Sequence, residues 1–201
     1  LQIAKGVTPT VSGLQLIPMT AGILISSTLS GRYMGKSGHY KILPILGLSL
    51  LALGMFLLSR LSVETGPVVF SISLAMVGLG MGCIFPVVTT SVQNAVPRAQ
   101  MGTATAAGIM LRQTGASLGV AAFGAMFAAR MAEGVGTEQS GFNPQTLAQL
   151  APELRAAMAA QVVHAIHPIY LVAMGLALVG LAFAFVLKEV PLSNRQVPRG
   201  D

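Results

Sequence analysis

The sequence is short of charge, and above all of acids. Only 9% of the 201 residues are charged, with 6 Asp and Glu against 12 Lys and Arg, while 53% are hydrophobic and the mean hydropathy is +0.74. A soluble domain carries about 25% charged residues, because its outer surface must be hydrated. The scarcity of charge excludes soluble enzymes, nucleic-acid-binding domains and disordered tails, and it predicts a chain whose solvent is lipid.

Two further shortages exclude particular kinds of site. Aromatic residues make up 5% of the chain and its 12 bases are scattered, so the net charge of +6 does not form the basic, aromatic-rich surface that a nucleic-acid partner needs. Cys83 is the single cysteine, which excludes an intramolecular disulfide and a cysteine-based metal site. No basic stretch precedes a short apolar core near Leu1, so no signal peptide is predicted, and the chain is interpreted as a fragment.

Long charge-free runs are what the sequence has in abundance. A helix needs about 20 residues to cross about 30 Å of hydrocarbon, and an open sheet edge would leave backbone groups unpaired in lipid. The sequence therefore predicts an all-α integral membrane protein with five transmembrane helices. Their predicted ranges are 7–31, 42–59, 66–96, 101–129 and 166–187.

The bases between the predicted helices indicate how the chain is oriented. By the positive-inside rule, connections rich in Lys and Arg face the cytoplasm. The connections after the first and third helices and the tail after the fifth helix are therefore predicted to be cytoplasmic, and 191–201 is a cytoplasmic tail. The bases on this side are Arg32, Lys36, Lys41, Arg98, Lys188, Arg195 and Arg199.

The connection 130–165 is predicted to be an external loop that is partly helical. Pro152 opens a stretch in which apolar residues recur at every fourth position. This spacing favours a helix that lies on the membrane surface or on the external ends of the spans. The residues of the stripe are Leu154, Met158, Val162 and Ile166.

Arg112 is the one ionisable residue at membrane depth, about 16 Å past the inner interface if its helix starts near Met101. Such a residue is costly in lipid and should face protein or water. On a helical wheel it shares its face with Gly108 and with the GxxxG pair Gly115 and Gly119, which lets another backbone approach closely. Arg112 is interpreted as a cavity or gating residue that binds an anionic group; alternatively, it bonds helix carbonyls and is structural.

Amide side chains supply further cavity candidates. Gln113 lies beside Arg112, and Gln15 lies in the first predicted helix. Gln93 and Asn94 end a polar run that lines an aqueous path or, alternatively, marks an interfacial helix end. Carboxylates within membrane helices are the usual carriers of protons or cations, and no carboxylate lies within a predicted helix, which limits what this chain can do alone.

The third predicted helix contains a packing motif and a helix breaker. Gly78 and Gly82 have the GxxxG spacing that permits close helix contact. Pro86 lacks an N–H group and leaves the carbonyl of Gly82 without its helical partner, which predicts a kink. At the outer mouth of the last helix, His164 and His167 share a face without an acidic or cysteine partner, and they are interpreted as interface residues rather than as a metal site.

Residues 31–41, GRYMGKSGHYK, form the most specific stretch of the sequence. Glycines are expected where the chain turns sharply, and bases are spaced through the turn. The stretch resembles the cytoplasmic-loop signature of the major facilitator superfamily, in its C-terminal-half copy, with Gly35 where that family usually has Asp. The residues that carry the resemblance are Gly31, Arg32, Lys36, Gly38 and Lys41.

Other segments extend this resemblance to about residues 6–190. In their order they resemble the 14-span drug:proton antiporter branch of the superfamily, which implies that the chain is the last five spans of a C-terminal half. Its partner is then the missing N-terminal half of the same transporter. The segments are Gly13-Leu14 with Pro18, GLGMG at 78–82, Val96-Pro97 with Gly102, and RQTG at 112–115 with Gly119.

The resemblance implies a multi-pass protein of the bacterial inner membrane that exports small hydrophobic or cationic substrates in exchange for protons by alternating access. It implies the proton gradient as the energy source, no cofactor, and a periplasmic adaptor as a partner. The alternatives are a facilitator or symporter of a metabolite or sugar, and a membrane subunit that does not transport. An enzyme is not expected, because Arg112 alone provides no haem, metal or nucleophile site.

Overall fold

The computed structural model describes residues 9–62, 65–134 and 152–187, which are almost entirely helical. Within these ranges there is no strand, and five helical segments are long and apolar enough to cross a membrane, so the predicted all-α fold with five membrane helices is confirmed. The predicted tail 191–201 lies outside the described residues. In chain order the helices are α1 (Pro9–Leu14), α2 (Ile17–Ser37), α3 (Ile42–Ser59), α4 (Pro67–Asn94), a 3₁₀ turn (Arg98–Gln100), α5 (Met101–Gly134) and α6 (Pro152–Val186).

The first predicted span is two helices rather than one. The N–H of Leu16 donates to the carbonyl of Gly13 at 3.0 Å, which closes a tight turn between α1 and α2. Pro18 causes the break, because it has no N–H to donate to the carbonyl of Leu14 four residues earlier. In the first turn of α2 the same proline is well placed, since those N–H groups have no partner within a helix.

The end of α2 lies later than the sequence predicts. Gly31, Arg32 and Lys36 are helical, so the expected long loop is reduced to the few residues after Ser37. Gly38 ends the helix with φ of 69°, and its N–H donates to the carbonyl of Met34 at 3.0 Å. Of the two signature glycines, Gly31 is helical and Gly38 forms the sharp turn. A glycine suits this position because a left-handed backbone is costly for residues with a Cβ atom.

The expected external loop is also shortened by helix. The stretch that begins at Pro152 is continuous with the last span, so α6 runs as a single helix from Pro152 to Val186, with Pro168 inside it. Val162 and Ala165 are buried against Met131 near the end of α5. Val162 and Ile166, the two stripe residues whose side chains the structure describes, thus pack near the end of a neighbouring span, which is one of the two placements that the sequence predicts.

Helix α4 lies at the centre of the packing. It contacts α2 along one side and α3 along the other, while α6 packs against α3. The largest core cluster joins α3 and α4 through Leu58, Leu74 and Val77, with Tyr170 of α6 packed against it. Helix α5 makes far less contact than the other spans, with α4 and α6 as its neighbours.

Glycines of α4 set these close helix contacts. A Cβ atom added at Gly82 would lie 2.5 Å from the carbonyl oxygen of Ile23 in α2. A Cβ atom added at Gly80 would lie 2.6 Å from the carbonyl oxygen of Gly47 in α3. Both distances are shorter than side chains tolerate, so the backbones of α2, α3 and α4 approach as closely as small residues permit.

Candidate functional site

Arg112 is exposed on α5, about 16 Å along the helix from Met101. Its guanidinium carbon lies 5.7 Å from the centre of the Phe85 ring on α4. A guanidinium over a ring face gains roughly 0.5 to 1 kcal/mol at an exposed site, which is well below the cost of an arginine at membrane depth. Phe85 therefore positions the charge without neutralising it.

The small-residue face around Arg112 is open. A Cβ atom added at Gly108, Gly115 or Gly119 would meet nothing within 4 Å. Only 6% of the most apolar window of this span is buried, compared with 39% for α3. The predicted close approach of a second backbone to this face is therefore not made by any described residue of the chain.

The predicted hinge and packing residues of α4 behave differently. Gly78 faces the backbone of Met19, and Gly82 faces Ser26 and Ile23, all on α2. Ser26 is buried and donates to the carbonyl of Gly22 at 2.8 Å, so its hydroxyl is satisfied within its own helix. Pro86 lies inside α4, which continues to Asn94. The first GxxxG pair is thus an internal contact, whereas the pair on α5 is a free surface.

The amide candidates fall in separate places. Gln93 donates through Nε2 to the hydroxyl of Thr105 at 3.2 Å, which links the end of α4 to the start of α5. Asn94 is the last residue of α4 and is half-buried. Gln113 is exposed beside Arg112, and Gln15 lies at the join of α1 and α2, where its Oε1 atom is buried without a hydrogen-bond partner.

Two of the candidates, Gln93 and Arg112, lie along the seam where α4 contacts α5. Gln93 meets Thr105 at one level, and Phe85 meets Arg112 about two turns away. Gln15 is at the other end of the molecule and does not belong to this seam. The arrangement can hold one positive charge at mid-depth beside a polar cluster, and the described residues include no carboxylate at that depth.

One long-range polar contact was not expected from the sequence. His167 donates through Nε2 to the carbonyl of Leu61 at 2.7 Å, which ties α6 to the chain just after α3. His164 is exposed, so the two histidines do not act together. Among the described residues no group of three or more His, Cys, Asp and Glu side chains is placed to hold a metal ion.

The loop-signature residues lie together at one end of the bundle. Arg32 and Lys36 are exposed on the last two turns of α2, and Lys41 directly precedes α3. At the opposite end, an open groove of about 370 Å³ separates the starts of α2 and α4. It contains none of the predicted site residues and is lined by Pro18, Pro67, Val68, Ser71, Ile72 and Ala75.

Comparisons with known proteins agree on a family of transporters. Residues 1–120 match the family model described as Major Facilitator Superfamily. The chain is 34% identical over 202 residues to an uncharacterized MFS-type transporter of Mycobacterium tuberculosis, covering 96% of this chain and 29% of that protein. It is 26% identical over 231 residues to the multidrug transporter protein MdtP of Bacillus subtilis, covering 98% of this chain and 42% of that protein.

Two more comparisons show similarity to a resistance protein and to a solved structure. The chain is 34% identical over 129 residues to a tetracycline resistance determinant of Streptomyces rimosus, covering 64% of this chain and 37% of that protein. The crystal structure of the fucose:proton symporter FucP of E. coli superposes with a TM-score of 0.59 at 17% identity, covering 87% of this chain and 46% of that one. The chain thus spans less than half the length of each of these relatives.

Proposed function

Because the chain belongs to the Major Facilitator Superfamily, we propose that it forms the last five membrane helices of a transporter that exports small molecules in exchange for protons. The family makes it part of a multi-pass membrane transporter. Export is supported by the names of the multidrug and tetracycline-resistance relatives. The activity of the whole protein, its substrates, and its membership of the 14-span branch are parts of the proposal, because the chain covers only part of each relative.

The role of α5 in this proposal is to face the rest of the transporter. Its glycine face is open and its contacts with α4 and α6 are few, so it can shift against a second bundle with little loss of internal packing. Arg112 is the cavity or gating residue on that face and binds an anionic group or a carboxylate of another helix. Such motion about a site near the bilayer midplane is what alternating access requires.

Proton coupling requires a titratable group that this part of the chain does not supply. Between residues 9 and 132 the only acid is Glu64, which lies in the connection between α3 and α4. We therefore assign the proton-carrying carboxylate to another part of the transporter. The substrates of this proposal are small and hydrophobic or cationic, and a carboxylate that binds a proton and a cation in turn would suit the cationic ones.

The experiment that tests the proposal measures export and proton movement together. The full-length transporter is expressed in cells without their own efflux pumps, and ethidium and tetracycline efflux are followed after energisation. In inverted vesicles, addition of an exported compound should collapse part of a preformed proton gradient, as reported by a pH-sensitive dye. Efflux without proton movement would support export but contradict the proposal that export occurs in exchange for protons. Absence of efflux from a folded, membrane-inserted protein, together with uptake of a sugar or metabolite, would favour the alternative of a symporter.

The position of α5 can be tested by alkylation of single cysteines. In a background where Cys83 is replaced by serine, Gly115→Cys on the open face is compared with Leu118→Cys, which is exposed beside it. Substrate should change the reaction rate of Gly115→Cys, because movement of a second bundle covers this face or opens it to water, whereas Leu118→Cys should react slowly with or without substrate, because a thiol in lipid does not ionise. Equal rates that substrate does not alter would contradict the proposed interface.

The same proposal places the end that carries Arg32, Lys36 and Arg98 in the cytoplasm of a bacterial cell. This assignment is supported by the positive-inside rule. A fluorescent protein that matures only in the cytoplasm, fused after Asp201, should be fluorescent. A fusion of alkaline phosphatase at Gly66, in the connection between α3 and α4, should be active only if that connection is external.

A further inference from the structure

One face of α2 changes from apolar to basic as the helix leaves the membrane. Its exposed residues are Ile25, Leu29, Tyr33, Arg32 and Lys36, with exposures of 55% for Ile25, 59% for Leu29 and 43% for Tyr33. At 100° per residue these five side chains fall within about 100° of one another. Arg32 lies opposite the buried Ser30 and Met34, so this face is turned away from the contacts with α4.

The depth of this face matches the boundary between hydrocarbon and headgroups. Helix α2 has 21 residues and is therefore about 32 Å long, close to the thickness of the hydrocarbon layer, about 30 Å. Because a base is costly in hydrocarbon, the end of α2 that carries Arg32 and Lys36 is placed in the headgroup region. Ile25 and Leu29 then lie at acyl-chain level, and Arg32 and Lys36 at phosphate level.

Among the described residues, none forms an ion pair with Arg32 or Lys36. Between residues 9 and 132 the sequence has a single acid, Glu64, in the connection that follows α3. Arg32 and Lys36 are one helical turn apart, about 6 Å along the axis, so their side chains can reach one phosphodiester group. A guanidinium donates to phosphate in a bidentate manner, and the ammonium of Lys36 adds a second charge.

We propose that the face of α2 from Ile25 to Lys36 is a binding site for one anionic phospholipid. The phosphodiester accepts hydrogen bonds from Arg32 and Lys36, the Tyr33 ring lies at the interface, and an acyl chain covers Ile25 and Leu29. The site is distinct from the open face of α5, because small residues favour a neighbouring helix there. Large apolar residues that end in bases favour a lipid.

The occupant is a lipid and not a free phosphate ion, because two of the five residues are apolar and lie below the bases. A phosphate ion would contact Arg32 and Lys36 but leave Ile25 and Leu29 uncovered. A helix from elsewhere in the transporter would have to pack against large side chains and bury two uncompensated charges. A phosphate ion and a protein helix each predict a different outcome from a lipid when lipid retention is measured.

The test measures lipid retention by native mass spectrometry of the full-length transporter. Detergent-purified protein is equilibrated with equimolar phosphatidylglycerol and phosphatidylcholine of the same acyl chains. Wild type should retain phosphatidylglycerol preferentially. The double variant Arg32→Gln/Lys36→Gln should bind it about 10- to 30-fold more weakly, because each base near an anionic lipid surface contributes a factor of about five.

The matched control is Arg60→Gln/Arg98→Gln, which removes two exposed bases outside this face and should leave the preference unchanged. Arg32→Lys should retain most of it. If the double variant is not monodisperse, Arg32→Gln alone is compared with Arg98→Gln. Equal retention of the two lipids by wild type, equal loss in the control, or displacement of the lipid by millimolar inorganic phosphate would each overturn the proposal.

Discussion

The guanidinium carbon of Arg112 lies 5.7 Å from the centre of the Phe85 ring, and this contact joins the most weakly packed membrane span, α5, to the central one, α4. The ring stabilises the position of the charge but leaves its exposed side free. A charge held in this way at membrane depth can pair with a group that arrives from outside the chain.

Replacement of Arg112 by leucine should abolish export in the full-length transporter while leaving membrane insertion intact. Leucine is apolar and stable in lipid, so the fold has no reason to fail, whereas the fixed positive charge is lost. Dye efflux from proteoliposomes at matched protein amounts should fall at least about tenfold, and Arg112→Lys should keep part of the activity. Arg60→Leu, which removes a base over the Phe56 ring at a helix end, is the control. Equal efflux by wild type and Arg112→Leu would mean that the arginine is structural.

Gly82→Ala should lower thermal stability, because the new Cβ atom would lie 2.5 Å from the backbone oxygen of Ile23, which cannot move without separating α2 from α4. Overpacking of this kind costs about 1 to 3 kcal/mol. Gly31→Ala is the matched change, since a Cβ atom at Gly31 would meet nothing within 4 Å. Melting in detergent, followed by the loss of monodisperse protein, should show a lower midpoint only for Gly82→Ala. The same midpoint for both variants would argue against close packing at Gly82.

Replacement of Gly35 and of Gly38 by alanine should change the stability of the protein in opposite directions. Gly38 has a positive φ of 69°, so an alanine there costs about 1 to 2 kcal/mol. Gly35 is helical with open space around it, so an alanine there should stabilise α2 by up to about 1 kcal/mol. The midpoints of thermal unfolding of the two variants should therefore lie on opposite sides of the wild-type value. A destabilised Gly35→Ala would indicate a loop at that residue, as the sequence alone predicts.

His167→Ala should destabilise the protein, and His164→Ala should not. The first variant removes the 2.7 Å hydrogen bond to the carbonyl of Leu61, and hydrogen bonds between membrane helices contribute about 0.6 to 2 kcal/mol. His164 is exposed, and His164→Ala is the control because it makes the same substitution without removing this hydrogen bond. Thermal unfolding of both variants in the same buffer gives the comparison. Equal effects would show that the contact between α6 and the end of α3 does not contribute to stability.

Part of the fold follows directly from composition and run length. The charge-free runs predicted five membrane helices, and the second predicted range, 42–59, has the same bounds as α3. Hydrogen bonding within each helix is the only way to satisfy the backbone in lipid, so apolar length alone is informative. The broken start of the first span also has a local cause, since Pro18 cannot donate to Leu14, although that break was not predicted from the sequence.

The partners of the small-residue faces could not be predicted in this way. Gly78-Gly82 and Gly115-Gly119 have the same spacing, yet the first pair packs on α2 and the second is open. Spacing shows that a helix can be approached closely, but it does not show which helix approaches. The bond between His167 and Leu61 was missed for the same reason, because 106 residues separate the two in the chain.

By itself, the sequence determined that this protein lies in lipid and crosses the membrane as helices, because backbone groups left unpaired in hydrocarbon are costly. It also predicted that Arg112 lies at mid-depth, because the residue stands in the middle of a long apolar run. Only the tertiary structure decided that α4 is the central helix, that α2 continues through its basic residues to Gly38, and that the Arg112 face is uncovered. Those outcomes depend on contacts between distant segments, and lipid, which is as apolar as the helices themselves, exerts no hydrophobic force that would select one such contact over another.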